Sequence, residues 1–364
     1  MLSFTYSLAD QDFRTSKSLG ILNVSTGLLR ELSGHPKAER ITLLSNESWE
    51  NTDFGERVNT VQTAGVAGSI LKRIRWDQWG VYRAARQAAH PWLVLPKGFL
   101  SFLAKPPVRV AAYVHDVMFD HYDRRYPNDV PRREQVYFRR GFRAALKHAS
   151  VIVTNSRFTA DEVRRMAEFY GIVPPLVRHV GIGFESTGEA GSLPGARKNI
   201  LLLVSKWPHK KTTMAVEFLE RWWRASSHKP PVQLIGSLPD GFGMPDHPGW
   251  EHRQRVPDGE YRALRDAARV QIYTSDYEGF GMPPVEAIDA GVCPVYSDIP
   301  AVAEVTDGSG FAFENDQYDS FGNALSEAWQ SDPAQILSWK KKLNERHTWA
   351  RVADRFLEAI SDVE

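Results

Sequence analysis

The run Asn199-Ile200-Leu201-Leu202-Leu203-Val204 is apolar at every position after the first, and the polar pair Ser205-Lys206 follows it. A strand that is apolar on both faces fits a parallel sheet covered by helices on either side. The same pattern of a short apolar run, a turn and a helical segment recurs at 41–44, 92–95, 110–114, 151–154, 232–235, 270–273 and 292–296. This alternation predicts an α/β chain built from doubly wound parallel sheets.

The chain has 364 residues, which is more than one hydrophobic core usually supports. Residues that break regular structure cluster just before the quoted strand, at Gly188, Gly191, Pro194 and Gly195. We therefore expect an N-terminal domain over 1–187, a linker over 188–198 and a C-terminal domain over 199–345. A C-terminal helix is expected over 346–364, and its packing back on the N-terminal domain is one arrangement we consider.

Composition excludes several classes of protein. A net charge of +1 argues against a nucleic-acid-binding protein, because such proteins carry a basic excess. Cys293 is the one cysteine, so disulfides and cysteine zinc sites are excluded and a reducing compartment is favoured. The eleven histidines lack metal-binding spacings, and we expect no metal site. The amino terminus does not resemble a signal peptide and there is no long apolar run, so we expect a cytoplasmic protein.

Polar residues follow the predicted strands at the points where they end: His115, Ser156, Lys206, Gly236 and Ser275. In open doubly wound sheets, ligands bind at this edge. Two such sheets facing each other would form one cleft between the domains.

One segment combines features of an anion site and of a sugar site. It reads Glu278-Gly279-Phe280-Gly281-Met282-Pro283-Pro284-Val285-Glu286. The glycines allow backbone N–H groups to approach a ligand, and the prolines suit a first helical turn, whose free amides attract phosphate. An ionised carboxylate accepts hydrogen bonds, so a glutamate at each end suits sugar hydroxyls. The segment therefore predicts a nucleotide-sugar site.

Together with the following Glu286-Ala287-Ile288-Asp289-Ala290-Gly291, this segment resembles the retaining glycosyltransferases of family four, in particular bacterial mannosyltransferases of polysaccharide biosynthesis. The resemblance continues in His115-Asp116, Asn155-Ser156-Arg157-Phe158, Ser205-Lys206 with Lys211, and Gly20-Ile21. It implies the GT-B fold, with two facing Rossmann-like domains and an interdomain cleft. No Asp-x-Asp follows a predicted strand to hold a diphosphate through a metal, so we expect a metal-independent enzyme with no cofactor besides the nucleotide-sugar co-substrate.

The resemblance also implies roles for individual residues. Glu286 is expected on the nucleotide ribose and Glu278 near the donor sugar. Lys206 and Lys211 would neutralise the donor diphosphate, and His115 would lie beside the sugar; with Glu278, these form the catalytic set. The expected donor-binding residues are Gly20, Ser156, Gly236, Gly279, Phe280, Gly281, Met282 and Glu286.

The expected reaction is transfer of a hexose, with retention, to a saccharide or a lipid-linked saccharide. GDP-mannose is the favoured donor because His115-Asp116 and the later Tyr126-Pro127 look most like mannosyltransferases that use it. UDP-glucose, UDP-N-acetylglucosamine and a GDP-deoxysugar stay open as donors. Two alternatives from other classes are a nucleotide-sugar epimerase of the same architecture and a catalytically silent homologue that binds the nucleotide sugar.

The stretch 70–90 is basic and amphipathic, with Lys72, Arg73 and Arg75 among apolar residues that include Trp76 and Trp79. Two interpretations are open. The stretch could make a peripheral contact with the inner face of the cell membrane, or it could be an ordinary surface helix with its apolar side in the core.

Overall fold

The chain divides into two compact units in the computed structural model. Unit 1 is Met1–Phe184 with His347–Glu364, and unit 2 is Glu185–Arg346. The structure describes residues 1–11, 19–46, 49, 52–63, 65–66, 69–184 and 197–363. Residues 188–196 of the predicted linker lie outside this set.

Unit 1 contains a parallel sheet, which in the described part of the chain has seven strands. They are β1 (Leu2–Ser7), β2 (Ala38–Ser45), β3 (Val58–Gln62), β4 (Trp92–Leu95), β5 (Arg109–Val114), β6 (Val151–Thr154) and β7 (Leu176–His179). The spatial order is β3-β2-β1-β4-β5-β6-β7, so the order reverses between β1 and β4. This reversal defines a doubly wound sheet, as the sequence predicts.

Helices of unit 1 connect these strands. They are α1 (Leu19–Gly34), α2 (Ile70–Arg75), α3 (Val81–Ala88), α4 (Met118–Arg125), α5 (Arg132–His148) and α6 (Arg157–Phe169), with a π-helical turn at Trp76–Gly80 between α2 and α3. The sheet is central to the core: Phe4, Tyr6, Trp92 and Tyr113 are fully or almost fully buried. Burial of such large apolar side chains is the main favourable contribution to folding.

Unit 2 contains a second parallel sheet, with six strands among the described residues. They are β8 (Asn199–Val204), β9 (Val232–Gly236), β10 (Trp250–Arg253), β11 (Ala268–Tyr273), β12 (Cys293–Ser297) and β13 (Phe311–Phe313). The order is β10-β9-β8-β11-β12-β13, which reverses between β8 and β11. The second predicted doubly wound sheet is therefore confirmed.

The helices of unit 2 are α7 (Thr212–Ala225), α8 (Asp258–Asp266), α9 (Met282–Asp289), α10 (Pro300–Thr306), α11 (Tyr318–Gln330) and α12 (Pro333–Arg346), preceded by a 3-10 turn at Pro208–Lys210. They cover both faces of the sheet. Ile200 and Leu202 of β8 belong to the apolar cluster under α7 and α11, whereas Leu201 belongs to the cluster on the other face. The continuous apolar run of β8 is explained by this double burial.

The last helix, α13 (Trp349–Ser361), belongs to unit 1. Trp349 packs so closely that a methyl group on Gly27 of α1 would overlap its indole ring, and one on Gly183 would meet its backbone. His35, just after α1, pairs with Asp354 of α13 at 3.0 Å. The chain thus leaves unit 1 after Phe184 and returns to it at His347.

Candidate active site

The site in unit 2 lies where the sheet order reverses. Ser205 and Lys206 follow β8, and residues 274–281 follow the neighbouring strand β11 and lead into α9. Parallel strands end at the same edge, so these two segments meet there. This is the edge at which the sequence places the polar residues.

Glu278 is held by three donors, all on the same carboxylate oxygen. Lys210 Nζ lies 2.5 Å from Oε1, and the hydroxyls of Tyr273 and Ser275 each donate to it at 2.7 Å. The ammonium of Lys210 also donates to the Tyr273 hydroxyl at 2.6 Å. Burial raises the pKa of Glu278, but Lys210, His209 and the Tyr273 hydroxyl outweigh burial, and the net pKa is below its ordinary value. Glu278 is therefore ionised at neutral pH.

Lys210 and Tyr273 were not identified from the sequence. Lys210 belongs to the 3-10 turn, and two hydrogen bonds to carbonyls of the turn attach it to the Glu278 loop: the Thr274 side-chain hydroxyl donates to the Lys210 carbonyl at 2.6 Å, and the Asp276 amide donates to the His209 carbonyl at 2.8 Å. Three consecutive cationic or ionisable positions, His209, Lys210 and Lys211, were the available signal. The direction in which each of these side chains points depends on the conformation of the 3-10 turn.

The glycine-rich segment has the backbone that the sequence implies. Gly281 precedes α9 with φ of 93°, a left-handed conformation, and Pro283 lies in the first turn of the helix. A Cβ on Gly281 would lie 2.5 Å from Val302 Cγ2. Gly279, Phe280 and Gly281 are buried, and Met282 is half-buried as the first residue of α9. The backbone N–H groups that follow Glu278 are those of residues 279–282, because Pro283 and Pro284 have none.

Gly236 ends β9, with φ of 124°. A Cβ at this position would overlap the carbonyl oxygen of Val204 on the adjacent strand β8. The glycine therefore permits a close approach of two backbones at the ligand edge.

The two predicted diphosphate lysines differ in their surroundings. Lys211 directly precedes α7, and its backbone is in the left-handed conformation with φ of 50°. Its ammonium lies 2.9 Å from the Asp316 carboxylate. Lys206 is exposed, with its ammonium 5.9 Å from the centroid of the Trp207 ring. Glu278 is thus joined to Lys210 and not to either of these lysines.

Glu286 lies in α9, one helical turn after Pro283. Burial raises its pKa, while Arg265 and Arg262 of α8 act in the opposite direction and Asp289 adds to the rise. A half-buried carboxylate facing two guanidinium groups is a strong acceptor for hydroxyl donors when it is ionised.

In unit 1, the structure brings His115 and Ser156 together at the ends of β5 and β6. His115 is 8% exposed and stacks on Tyr113, with ring centroids 4.5 Å apart. Its backbone carbonyl accepts hydrogen bonds from Asn155 Nδ2 at 2.9 Å and Thr159 Oγ1 at 3.3 Å. Ser156 is fully buried, and its hydroxyl oxygen caps α6 by accepting from the Thr159 amide. The remaining predicted residue of this unit, Gly20, lies in the first turn of α1.

A mixed-charge cluster, Asp10, Lys97 and Asp77, lies at the reversal between β1 and β4. Lys97 forms an ion pair with Asp10 and lies 3.2 Å from Asp77, whose other oxygen accepts from the Tyr137 hydroxyl at 2.9 Å. Burial lowers the pKa of Lys97 to about 7 and raises that of Asp77 to about 6. No sequence pattern predicts this cluster, because its members are far apart along the chain.

Comparison with known proteins identifies part of unit 2. The family described as glycosyl transferases group 1 matches residues 251–346. This segment is a group 1 glycosyl transferase domain. It contains Glu278, Tyr273, the α9 start and Glu286, whereas Lys206, Lys210 and Lys211 precede it.

Curated relatives of the chain are bacterial. O-antigen chain mannosyltransferase B of Escherichia coli is 33% identical over 94 residues, 26% of this chain and 23% of that protein. O-antigen chain mannosyltransferase RfbU of Salmonella typhimurium is 24% identical over 204 residues, 53% of this chain and 54% of that protein. The GDP-mannose:cellobiosyl-diphosphopolyprenol alpha-mannosyltransferase of Xanthomonas oryzae is 28% identical over 108 residues, 28% of each chain. The matches span about a quarter to a half of the relatives' lengths.

Solved structures match the whole chain, beyond the group 1 domain. Sucrose-phosphate synthase from Thermosynechococcus elongatus has a TM-score of 0.68 at 14% identity, covering 100% of this chain and 99% of that one. Anabaena HepE, in complex with UDP and glucose, has a TM-score of 0.68 at 13% identity and full coverage of both chains. At this identity the likeness shows the fold, and the fold is GT-B, as predicted.

In the described ranges, no three His, Cys, Asp or Glu side chains are grouped as metal ligands. None of the helices in the described part of the chain is long and apolar enough to cross a membrane.

Proposed function

We propose that this protein transfers a hexosyl group from a nucleotide sugar to a saccharide or lipid-linked saccharide, with retention of anomeric configuration. The observation that carries the proposal is the Glu278 site: an ionised carboxylate beside the backbone amides of residues 279–282, inside the group 1 domain. Carboxylates suit sugar hydroxyls and backbone amides suit a diphosphate, so both halves of a nucleotide sugar find partners.

In the proposed reaction, the bond between the anomeric carbon and the diphosphate oxygen breaks, and a bond to the acceptor oxygen forms on the same face. The acceptor proton passes to the departing phosphate oxygen, so no separate general base is required. Lys206, Lys211 and the amides of residues 279–282 stabilise the negative charge of the leaving diphosphate. Glu286 holds the ribose, and Glu278 positions the sugar. His115 orients the sugar through its ring, since its carbonyl already accepts two hydrogen bonds.

GDP-mannose is the donor we favour. The Xanthomonas relative is named for GDP-mannose and the two O-antigen relatives are named mannosyltransferases. HepE, bound to UDP and glucose, favours UDP-glucose as the competing donor. The test is to incubate the purified protein with GDP-mannose, UDP-glucose, UDP-N-acetylglucosamine or GDP-fucose, each with and without a polyprenyl-diphosphate saccharide. Products are identified by mass spectrometry and their anomeric configuration by NMR.

The three functional classes give different results in this assay. Transfer of mannose with retention supports the proposal, whereas inversion contradicts it. An altered sugar formed without any acceptor identifies an epimerase. Binding without conversion identifies a silent homologue. Glu286→Gln should weaken nucleotide-sugar binding, and Glu327→Gln, an exposed glutamate of α11, is the matched control.

We further propose that residues 70–79 contact an anionic membrane at the cytoplasmic face. Ile70, Leu71 and Trp79 are 73%, 79% and 49% exposed, so three large apolar side chains within ten residues of the chain are exposed to solvent. The cations Lys72, Arg73 and Arg75 are exposed beside them. Asp77, the one acidic residue between 69 and 88, is already engaged by Lys97 and Tyr137. The outward charge is therefore positive, which complements anionic lipid.

Vesicle sedimentation tests the membrane contact. The protein should bind vesicles of phosphatidylglycerol and phosphatidylcholine and not vesicles of phosphatidylcholine alone. Changing Lys72, Arg73 and Arg75 to Gln should weaken binding at least tenfold, because each cation near an anionic surface contributes about 1 kcal/mol. Exposed Lys37, Arg40 and Lys341 changed to Gln give a control with the same charge. Equal weakening in both triple variants would contradict a specific surface.

A further inference from the structure

An open groove lies between α7 and α11 of unit 2, and its volume is about 450 Å³. This volume is within the range of sites that hold small ligands in proteins. The lining combines aromatic rings with uncharged polar side chains, among them Trp222, Ser226, Ser227, Tyr318, Asn323 and Trp329. Asp319 is the one carboxylate of the lining, and no lysine or arginine lines the groove in the described part of the chain. The groove therefore suits a ligand that is largely uncharged and rich in hydroxyl groups.

The groove is separate from the Glu278 site. The α7 helix follows Lys211 at the ligand edge, and at about 1.5 Å per residue Ser226 lies about 20 Å farther along it. Arg269, near the start of β11, donates to the Trp329 carbonyl at 2.6 Å, whereas the Glu278 loop follows the end of the same strand. Trp329 thus lies toward the edge of the sheet opposite to Glu278.

The aromatic rings of the groove are held in place by their neighbours. The Trp222 indole N–H donates to Ser326 Oγ at 2.9 Å, and that hydroxyl donates to the Gly322 carbonyl at 2.7 Å. The Trp222 and Trp329 rings lie 6.1 Å apart between centroids and are inclined at 60°. The exposed His228 has its ring 6.3 Å from that of Trp329, at an angle of 34°. Rigid rings of this kind provide apolar surface for the C–H face of a sugar at a low cost in side-chain entropy.

Two amide side chains at the rim of the groove are available to a ligand. Asn323 and Gln330 are exposed and lie seven residues apart on one side of α11. Neither side chain makes a hydrogen bond with any residue that the structure describes. An amide has donors and an acceptor in one plane, and sugar hydroxyls both donate and accept, so the two groups match. From Asp319 to Gln330 the helix rises about 16 Å, which is long enough for several linked sugar rings.

We propose that the groove between α7 and α11 is a binding site for an uncharged oligosaccharide. The inference goes beyond the proposed function, because it adds a carbohydrate site that is separate from the Glu278 site. A sugar ring packs on Trp329, and the amides of Asn323 and Gln330 bind its hydroxyls and those of the next rings. For an enzyme that extends a polysaccharide, such a site raises the local concentration of the polymer, and this consequence alone rests on the proposed function.

Gly322 offers a way to close the groove and keep the fold. It lines the groove, its φ is not positive, and a Cβ there would meet nothing closer than the Tyr318 ring at 3.6 Å. Glycine inside a helix is destabilising, so Gly322→Gln should keep or raise the Tm. The new side chain should occupy the groove and exclude a sugar ring. Gly259→Gln in α8, where a Cβ also meets no obstacle, is the matched control.

Titration calorimetry with α-linked mannotetraose, maltotetraose and cellotetraose tests the proposal. At least one of these probes should bind the wild type and Gly259→Gln equally well. Gly322→Gln should weaken that binding about tenfold or more, since the contact with an aromatic ring is lost. Asn323→Ala combined with Gln330→Ala should weaken it about tenfold through lost hydrogen bonds. Gln87→Ala combined with Gln335→Ala removes two exposed helical amides elsewhere and should change nothing.

Two further measurements identify the site and its occupant. Gly322→Gln should bind GDP and UDP as the wild type does, whereas Glu286→Gln should weaken nucleotide-sugar binding and leave tetrasaccharide binding unchanged. The proposal is overturned if the wild type binds none of the three probes, or if Gly322→Gln binds them as well as Gly259→Gln does. It is also overturned if sedimentation shows a wild-type dimer that Gly322→Gln converts to a monomer, because the groove would then hold a second copy of the chain.

The binding comparison requires no sugar transfer, so failure of the proposed function is distinguishable from failure of this inference. If the protein transfers nothing but Gly322→Gln loses the tetrasaccharide, the groove is a carbohydrate site and the proposed reaction is wrong. If the protein transfers sugar and Gly322→Gln binds the tetrasaccharide like Gly259→Gln, the proposed reaction stands and the groove has no such role.

Discussion

His115 Nε2 lies 2.7 Å from the carbonyl oxygen of Pro96. A carbonyl accepts and cannot donate, so Nε2 carries the hydrogen and Nδ1 carries the lone pair. Burial lowers the pKa of His115 to about 4, although the hydrogen bond to Pro96 acts in the opposite direction. The imidazole is therefore neutral at physiological pH and has one free acceptor. It cannot serve as a cationic partner of a phosphate under these conditions.

This pKa has a consequence for stability against acid. The folded pKa is about 4 and the unfolded value is about 6.5, so the unfolded state binds more protons between these values. The stability contributed by a neutral His115 is complete above pH 6.5 and is lost as the pH falls toward 4. The loss should be on the order of 3 kcal/mol. In His115→Gln, urea unfolding at pH 7.5 and pH 4.5 should show a smaller difference than in the wild type; parallel curves would contradict the assignment.

Gly281→Ala should damage the start of α9. The new methyl group would meet Val302, and φ of 93° is unfavourable for alanine. We expect a loss of about 2 to 3 kcal/mol, seen as a lower Tm, together with weaker nucleotide-sugar binding. Gly259→Ala in α8 is the control, because a methyl group there meets open space and φ is not positive. Equal melting of the two variants would mean that the segment adjusts freely.

Lys211→Met should lower kcat for sugar transfer by about two to three powers of ten, the usual effect of removing a donor that stabilises developing negative charge. The left-handed backbone at Lys211 accepts methionine no worse than lysine, so the fold should be kept. Lys341→Met, a change at an exposed lysine, provides the control for the loss of one positive charge. A loss of less than tenfold would show that Lys211 serves the Asp316 ion pair and not the reaction.

Gly27→Ala should destabilise unit 1 through its last helix. The added methyl group would overlap the Trp349 ring, whereas at Gly34, at the end of the same helix, it meets nothing. Overpacking of this kind costs about 1 to 3 kcal/mol. We expect a Tm several degrees lower for Gly27→Ala and no loss for Gly34→Ala. Unchanged melting of Gly27→Ala would mean that α13 moves aside at little cost.

All eight strands predicted from apolar runs exist, because they are buried on both faces and leave a continuous apolar signal. Four of the missed strands, β3, β7, β10 and β13, lie at the edges of the two sheets. Edge strands are partly exposed, so β3, β7 and β10 keep polar residues such as Asn59 and Glu251 and give no apolar run. The edge strand β13 is apolar but has only three residues. The fifth missed strand, β1, is central. Its sequence Ser3-Phe4-Thr5-Tyr6-Ser7 alternates between polar and apolar residues and gives no continuous apolar run, although Thr5 is fully buried.

The sequence predicts the segment that forms the site, but it does not predict the hydrogen bonds that join Glu278 to Lys210 and Tyr273. The spacing of Glu278 and Glu286 and the glycines between them identify the loop and the helix start directly. Choosing between Lys210 and Lys211 required the turn at Pro208–Lys210, which ends with Lys211 in a left-handed conformation that favours glycine or asparagine. Tertiary contacts set the direction of the side chains in this turn. Lys210 and Lys211, which the sequence does not distinguish, therefore contact different partners.

The division of the chain also orders events during synthesis. Unit 2 is continuous, so all of its residues have been translated once Arg346 is added to the chain. Unit 1 is incomplete at that point, because Trp349 and the rest of its closing helix are translated after the whole of unit 2. The half that is begun first is therefore completed last, and a chain truncated after Arg346 would contain every residue of one lobe and lack the last helix of the other.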